Sequence, residues 1–412
     1  MVKPIALMES LSSNLHDFLE KVSKNLSLPR RKFLRDGIIG LLRCSQPVVC
    51  KMARVLPNQR TKITSRIDRL DEHLLNDGDF DKQIQKAATE VCLPLLTDDT
   101  PIILDLSDLA KPFSRKMDYL ATVRDGSTGE LVSGYWLVEL YASVNHSNPV
   151  PVLLEPFSHN EPESAGQNPV VCEAVRRVFK LTANRGVLVA DRGFDARRLL
   201  DDWLDNNYRF VVRLIGKRHL MRFTATKQWI AVQSRLLAEQ LHTPYRWHKV
   251  VKRRGKPNLV FGQIGWATVR LPGRDENLTL VVSRLAGLDR PMMLLTNVPV
   301  ENLKDAIRVL RYYIRRWECE QAIQFLKSQV NLEKIRTFRW NAIRRLVLLA
   351  VLVMLYLTLL TETSPALAER LLRYGQPLPN SPRFVLYRLL TGITEAITGC
   401  FWLRRSLLEV PL

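Results

Sequence analysis

A series of short, strand-like apolar runs between residues 101 and 215 is the feature that most constrains the fold. Each run is rich in β-branched and aromatic residues, as strands are. In chain order they are PIILDLSDL, YWLVELYASV, VPVLLEPF, GVLVAD and YRFVVRLI. Residues 167–181 and the stretch ARRLLDDWLDNN separate the later runs and have helical periodicity. Strands that first follow one another and then alternate with helices predict an α/β fold, with one mixed sheet and helices on its faces.

Two of these runs lead into an aspartate. Asp105 follows the apolar residues of the first run, and Asp191 follows VLVA. An acid at the end of a buried strand lies at the edge of the sheet, where a ligand or metal ion can bind, and carboxylates suit Mg²⁺. The alternative is that each aspartate only starts a turn or caps a helix. Asp108 and Asp195 fit that alternative well, whereas for Asp105 and Asp191 both interpretations stay open.

The parts of the chain around these strands differ from them in character. Residues 1–95 contain short basic helices joined by turns with proline, which is typical of a small DNA-binding domain, although a helical bundle with solvated basic faces has the same pattern. Residues 214–291 mix strands with the basic run HKVVKRRGK. We predict a helical DNA-binding domain (1–95), a core in two parts (96–213 and 292–360) around a β-rich insertion (214–291), and a helical C-terminal region (361–412) as a candidate for dimerisation.

The charge of the chain indicates a polyanionic partner. The 412 residues include 61 Lys and Arg against 41 Asp and Glu, a formal net charge of +20. An excess of this size favours nucleic acid, with a merely soluble basic protein as the alternative. The six cysteines form no C-x-x-C pair, which argues against structural zinc. With no export signal recognised, we expect a reduced, cytoplasmic protein.

One apolar stretch resembles a membrane span. Residues 346–360, LVLLAVLVMLYLTLL, are shorter than the about 20 residues that a span needs. We therefore predict a helix buried in a large core and no membrane partner, with a membrane anchor as the alternative.

The stretch YIRRWECEQAIQFLK carries four chemically different polar side chains at helical spacing. With about 100° per residue, Tyr313, Arg316, Glu320 and Lys327 lie within an arc of about 60° on a continuous helix, and Glu318 points away as a solvated acid. A stripe of structural ion pairs is one interpretation, because Arg316 and Glu320 are i,i+4 partners. The tyrosine and lysine favour a phosphate-binding face with one metal ligand.

This spacing, Y-x-x-R-x-x-x-E-x-x-x-x-x-x-K, resembles the YREK signature of a group of bacterial insertion-sequence transposases (insertion-sequence family four). They are cut-and-paste members of the RNase H-like Asp-Asp-Glu superfamily. Four further stretches are similar to the family in the same order: VLPNQRTKITSRIDRL to its DNA-binding segment, IILDLSD and VLVADRGF to its acid motifs, and LLTNVPVE to the approach to its signature helix. The resemblance implies an RNase H-like core with the β-rich insertion between the second aspartate and the glutamate.

The resemblance also implies an activity. The chain would bind the terminal inverted repeats of an insertion sequence, cleave DNA and join the 3′-hydroxyl ends to target DNA. Asp105, Asp191 and Glu320 would form the catalytic triad and hold two Mg²⁺ ions, for which Mn²⁺ would substitute. The partners would be double-stranded DNA and a second copy of the chain on that DNA, at the nucleoid in the bacterial cytoplasm.

Several residues are candidates for DNA contacts. The resemblance implies that Tyr313, Arg316 and Lys327 contact phosphates at the end of the element. Other basic residues would position DNA by neutralising phosphates. They are Arg60, Lys62, Arg66, Arg213, Lys217, Arg253 and Arg254.

One position departs from the family. Relatives carry an aromatic residue before the LLT strand that helps to hold a flipped-out base, and this chain has Met292 followed by Met293. Methionine packs on a base more weakly than an indole stacks. Trp229 and Trp266 are candidates to substitute, and the sequence leaves open whether a hairpin forms on the element end.

Two other functions would share most of these features. A nuclease of the same fold would share the three acids but would not transfer strands. A DNA-binding regulator derived from a transposase would bind without cutting. The intact acids argue against the regulator, because binding alone does not need them.

Overall fold

The computed structural model describes residues 4–57, 61–76, 78–144, 148–162, 164–253, 256–287, 290–374 and 384–401. In residues 4–5, 249–253, 256–259 and 399–401 it describes the backbone alone. The chain forms two compact units. Unit 1 comprises residues 1–96, 106–183 and 318–412, and unit 2 comprises residues 97–105 and 184–317.

Unit 1 is mainly helical. Its helices are α1 (Pro4–Ser23), α2 (Leu28–Cys44), α3 (Val49–Val55), α4 (Ile63–Leu75), α5 (Phe80–Cys92), α6 (Gln167–Leu181), α10 (Trp317–Ser328), α11 (Trp340–Thr363), α12 (Pro365–Leu372) and α13 (Leu386–Phe401). Its strands are the second half of β1 (Pro101–Ala110), β2 (Ala121–Arg124), β3 (Leu131–Ala142) and β4 (Val150–Phe157). β3 lies next to β1, and both β2 and β4 pair with it antiparallel.

The apolar helix α11 forms the centre of unit 1. It packs against β4 and against α2, α4 and α5. By length and composition α11 could cross a membrane, but 89% of its most apolar window is buried inside the protein. Residues 346–360 are therefore part of a buried core helix, as predicted.

A buried arginine connects α11 to the N-terminal helices. Arg345 is 2% exposed, and its Nε donates to Oδ1 of Asp81 at 3.0 Å. Its Nη1 donates to the carbonyl of His73 at 2.8 Å, in the last turn of α4, where helical carbonyls lack partners within the helix. The basic N-terminal helices thus share one core with α11.

Unit 2 is built on a mixed sheet. Its strands are the first half of β1, β5 (Val187–Ala190), β6 (Phe210–Arg213), β7 (His219–Phe223), β8 (Trp229–Gln233), β9 (Tyr245–Arg253), β10 (Lys256–Arg270), β11 (Leu278–Leu285) and β12 (Met292–Thr296). Its helices are α7 (Arg197–Asp205), α8 (Ser234–Gln240) and α9 (Leu303–Ile314). The strand order is β1-β5-β6-β12-β11-β10-β7-β8, and β9 pairs with β10. β1, β5 and β6 are parallel, and the other pairs are antiparallel.

The parallel strands of unit 2 explain why the apolar runs are so uniform. Val187, Val189 and Val211 are fully buried, and α9 covers them through Val309 and Leu310. Strands buried on both faces read as continuous β-branched runs. A mixed sheet with helices packed on it is consistent with an RNase H-like core.

The predicted strands between residues 101 and 215 are confirmed to within a few residues, and so is the helix in ARRLLDDWLDNN; the predicted helix over 167–181 has these bounds in the structure. The domain boundaries stay a prediction. No element was predicted at β2, β7 or α8, and most of the basic run HKVVKRRGK lies in strand β9. β2 and α8 are short, and short elements carry little periodicity.

Candidate functional site

Asp105 and Asp191 are brought side by side by the two parallel strands that carry them. β1 and β5 pair in register as far as Leu104 with Ala190. The next residues along the chain are the two aspartates, at the same level of strands about 4.8 Å apart. Asp191 keeps an extended backbone, with φ −78° and ψ 173°. The two aspartates therefore lie next to the same residue pair of the sheet, Leu104 and Ala190.

The two aspartates differ in how their strands end. β1 continues to Ala110, so the prediction that Asp105 ends a strand is wrong; only the pairing with β5 stops before it. Asp191 does follow the end of its strand. Its Oδ1 accepts a hydrogen bond from the backbone N–H of Gly193 at 2.8 Å and caps a short 3₁₀ helix, Arg192–Phe194. The turn-capping alternative is therefore also correct for Asp191.

Arg316 places a positive charge against Asp105. The arginine is 8% exposed, and its Nη1 lies 3.4 Å from Oδ2 of Asp105. A buried guanidinium needs a partner of opposite charge, and a carboxylate is the best one. Arg316 therefore has an acid beside it in this structure, and its contact with a DNA phosphate stays a prediction.

Tyr313 is buried in unit 2, and its contact with DNA stays a prediction. It is 3% exposed and belongs to the core cluster of unit 2 with Val309 and Leu310. Its hydroxyl accepts a weak hydrogen bond from Nη1 of Arg213 at 3.4 Å. Two residues predicted as DNA contacts are thus partners of each other, and Tyr313 orients the half-buried Arg213.

The signature stretch is not one helix, so the predicted arc of four side chains is wrong. α9 ends at Ile314 and α10 begins at Trp317. Between them the backbone N–H of Arg316 bonds to the carbonyl of Tyr313, three residues back, which is the tighter 3₁₀ pattern. Arginine does not break helices by itself. The interruption accompanies the burial of Arg316 and is therefore a tertiary effect.

The donor groups of unit 2 fit a hard divalent cation. Two half-buried carboxylates on neighbouring strands supply the oxygen ligands that Mg²⁺ prefers, and Mg²⁺ keeps water on its remaining positions. The guanidinium beside Asp105 has the same sign of charge as such a cation. Among the described residues no group of three or more His, Cys, Asp or Glu side chains could hold a metal ion. The two aspartates are thus the side chains of unit 2 whose chemistry suits a divalent cation.

The two glutamates of α10 lie in unit 1. Glu320 is exposed in the first turn of the helix, where a negative charge is favoured by the helix dipole. Glu318, predicted to be a solvated acid, is instead half-buried and accepts a hydrogen bond from the hydroxyl of Ser143. That prediction was wrong because the wheel gives a direction but not what packs against it.

Lys327 forms an ion pair with a buried acid. Its Nζ lies 2.8 Å from Oδ1 of Asp108 and 3.5 Å from Glu333. Asp108 is 3% exposed, and the same oxygen accepts the backbone N–H of Gly126 at 3.0 Å. The sequence assigned Asp108 to a turn and Lys327 to DNA. In the structure Lys327 balances a buried charge within unit 1.

A buried lysine that no sequence pattern predicted lies next to this pair. Lys111 is 5% exposed, and its Nζ donates to the carbonyl oxygens of Glu333 and Ile335, the latter at 3.1 Å. Burial lowers the pKa of Lys111 from 10.5 to about 8, against the attraction of the Glu333 carboxylate. Lys111 fixes the backbone after α10 to the end of β1.

This pKa predicts how stability changes with pH. Between pH 8 and 10.5 the unfolded chain holds the Lys111 proton more tightly than the folded chain, so the free energy of unfolding should rise with pH in this window. The rise would amount to about 3 kcal/mol at most. We would measure the free energy of unfolding by denaturant at several pH values for the wild type and for Lys111→Met. Between pH 8 and 10.5 it should rise with pH more steeply in the wild type. Equal slopes in the two proteins would contradict the prediction.

The other predicted DNA contacts have different placements. Lys62, which precedes α4, and Lys217 are exposed. Arg66 is 8% exposed in α4, so a direct contact with DNA does not fit its burial. Arg253 lies in β9, where the backbone alone is described, and Arg60 and Arg254 lie outside the described residues.

Met292 stands where relatives carry the aromatic residue, and it packs against the core of unit 2. Met292 is half-buried and packs against the core cluster of unit 2. Trp266 stacks on Tyr245 at 5.3 Å between ring centroids. The guanidinium of Arg270 lies 4.2 Å above the ring of Trp229. The indole ring of each tryptophan is thus already stacked against another side chain of unit 2.

Comparison with known proteins agrees with the sequence resemblance at the level of the family. The sequence profile described as transposase DDE domain matches residues 134–356, which is more than half of the chain. Among solved structures, the chain is similar to a piggyBac transposase in a synaptic complex with hairpin DNA, determined by cryo-EM. The TM-score is 0.48 at 10% identity, over 100% of this chain and 86% of that chain.

Proposed function

Because the chain belongs to the transposase DDE domain family, we propose that it is a cut-and-paste DNA transposase of the YREK group. It binds the terminal inverted repeats of its own element, cleaves DNA there and joins the 3′-hydroxyl ends to target DNA. The observation that carries this proposal is the pairing of β1 with β5, which ends at Leu104 and Ala190 and sets Asp105 beside Asp191.

In this proposal Asp105, Asp191 and Glu320 hold two Mg²⁺ ions. When bound, such a pair activates a water molecule and stabilises the leaving 3′-oxygen. Asp105 and Asp191 present their oxygens from neighbouring strands whose backbones are fixed by the sheet. The cap that Gly193 forms with Oδ1 of Asp191 holds that side chain in one orientation. Arg316 keeps a positive charge beside Asp105.

DNA is the proposed partner, and the net charge of +20 supports it. Exposed Lys62 and Lys217 are positions from which phosphates can be contacted. Because an element has two ends, the proposal includes a second copy of the chain on the DNA. We further propose that the protein acts in the bacterial cytoplasm, where the element lies.

The test uses the purified full chain and labelled DNA that ends in the repeats flanking its gene. We expect cuts at the repeat boundary with Mg²⁺ or Mn²⁺ and none with EDTA, followed by joined products when target DNA is added. Denaturing gels would show whether a hairpin intermediate forms. Cutting without joining would identify a nuclease of the same fold, and specific binding without any cut would identify a regulator; either result would contradict the proposal.

A further inference from the structure

Two loops of unit 1 are joined to each other by hydrogen bonds. The loops are residues 111–120, after β1, and 331–340, before α11. The backbone N–H of Asp118 donates to the carbonyl of Phe338 at 2.7 Å, and the N–H of Trp340 donates to Oδ2 of Asp118 at 3.1 Å. Buried Lys111 adds its bond to the carbonyl of Ile335 at 3.1 Å. We name this pair of loops the clasp.

The clasp exposes two aromatic side chains. Phe113 is 96% exposed, more than any other large hydrophobic side chain among the described residues, and Phe338 is 65% exposed. A phenyl ring left in water contributes none of the stabilisation that its burial would supply. The loops that carry the rings are fixed by hydrogen bonds, so the exposure is built into the surface.

The two loops of the clasp also carry exposed cations. The exposed basic side chains of the clasp are Arg115, Lys116, Lys334, Arg336 and Arg339. Within the part of the chain that the structure describes, none of these five forms an ion pair with an acid. The two acids of the clasp are already engaged, Asp118 with the N–H of Trp340 and Glu333 with Lys327. The surface therefore offers positive charge and aromatic faces together.

We propose that the clasp binds DNA at a base that has left the duplex stack, with Phe113 and Phe338 stacking on bases and the five cations contacting the adjoining phosphates. This inference rests on the proposed function and adds a second DNA contact outside the three acids. Exposed aromatic rings on a positively charged surface are the combination that binds single-stranded nucleic acid. In an intact duplex the faces of the bases are covered and only their edges are accessible in the grooves. The aromatic rings therefore favour an unpaired end or a distorted step over plain duplex.

The test compares a blunt duplex with the same duplex carrying a short unpaired tail, bound to the full chain in EDTA so that no cleavage occurs. Phe113→Ala and Phe338→Ala should each weaken binding of the tailed DNA by about 5- to 100-fold and leave the blunt duplex nearly unchanged. Phe113→Trp should restore binding and Phe113→Leu should not, because stacking needs an aromatic face. A 2-aminopurine base in the tail should be quenched by the wild type and not by the alanine variants.

Leu131→Ala is the matched control, because Leu131 is 74% exposed in unit 1 and lies outside the clasp. Equal losses on both DNAs, restoration by leucine, or an equal loss in Leu131→Ala would overturn the inference. The binding readout needs no cleavage. A protein that never cuts DNA but needs Phe113 and Phe338 to bind the tailed DNA would support the clasp and contradict the transposase activity. A protein that cuts DNA but binds the tailed DNA equally well without these rings would support the activity and contradict the clasp.

Discussion

Asp191→Asn is expected to lower the rate of metal-dependent DNA cleavage by about 1000-fold or more. Metal stabilisation of charge in the transition state contributes several kcal/mol, and each 1.36 kcal/mol is about tenfold in rate. Asparagine keeps an oxygen that can accept the N–H of Gly193, so the cap on the 3₁₀ helix survives and the change removes mainly the charge. Asp105→Asn and Glu320→Gln should have effects of the same order if the three acids act together.

The control separates loss of chemistry from loss of structure. Asp275→Asn removes a fully exposed acid of unit 2 and should leave the cleavage rate unchanged. Binding of Mn²⁺, followed by electron paramagnetic resonance, should weaken in Asp191→Asn and not in Asp275→Asn. DNA binding in EDTA should be kept in both. An Asp191→Asn protein that folds and still cuts at the wild-type rate would remove Asp191 from the catalytic set.

Part of this site was predictable because it depends on local sequence. A buried parallel strand must be apolar and β-branched along its length, so a run such as VLVA followed by Asp191 identifies both the strand and the acid. That β1 and β5 lie side by side in register is a pairing between distant segments. The resemblance to the family implies that the two acids act together. Composition and periodicity could not show this, because they do not reveal which distant strands pair.

The rest of the site was not predictable because it depends on tertiary contacts. The helical wheel of the signature stretch assumed that one helix runs from Tyr313 to Lys327, and the turn at Arg316 separates the residues before it from those after it. Helix propensity gave no sign of this break, since arginine favours helices. The burial of Tyr313 and Lys111 was not predictable either, because the polar groups of both side chains suit solvent or DNA and only the packing shows that they are buried.

The role of Lys327 is a second case that one measurement can decide. If its main partner is buried Asp108, Lys327→Met leaves an unpaired charge in unit 1. Breaking a fully buried pair costs about 3–5 kcal/mol, and because the lysine side chain is 22% exposed we expect a smaller loss, about 2–3 kcal/mol. Denaturant unfolding should show this as a lower midpoint with an unchanged slope.

The double variant distinguishes the pair from a general loss of packing. Asp108→Asn keeps an acceptor for the N–H of Gly126 but removes the charge, so in the Lys327→Met background it should recover about 1–2 kcal/mol. A lysine whose main role is to contact DNA gives the opposite pattern. Its loss would leave stability within about 0.5 kcal/mol and reduce the salt dependence of DNA binding by about one phosphate contact. That result would return Lys327 to the DNA-binding residues and leave buried Asp108 to be stabilised by other groups.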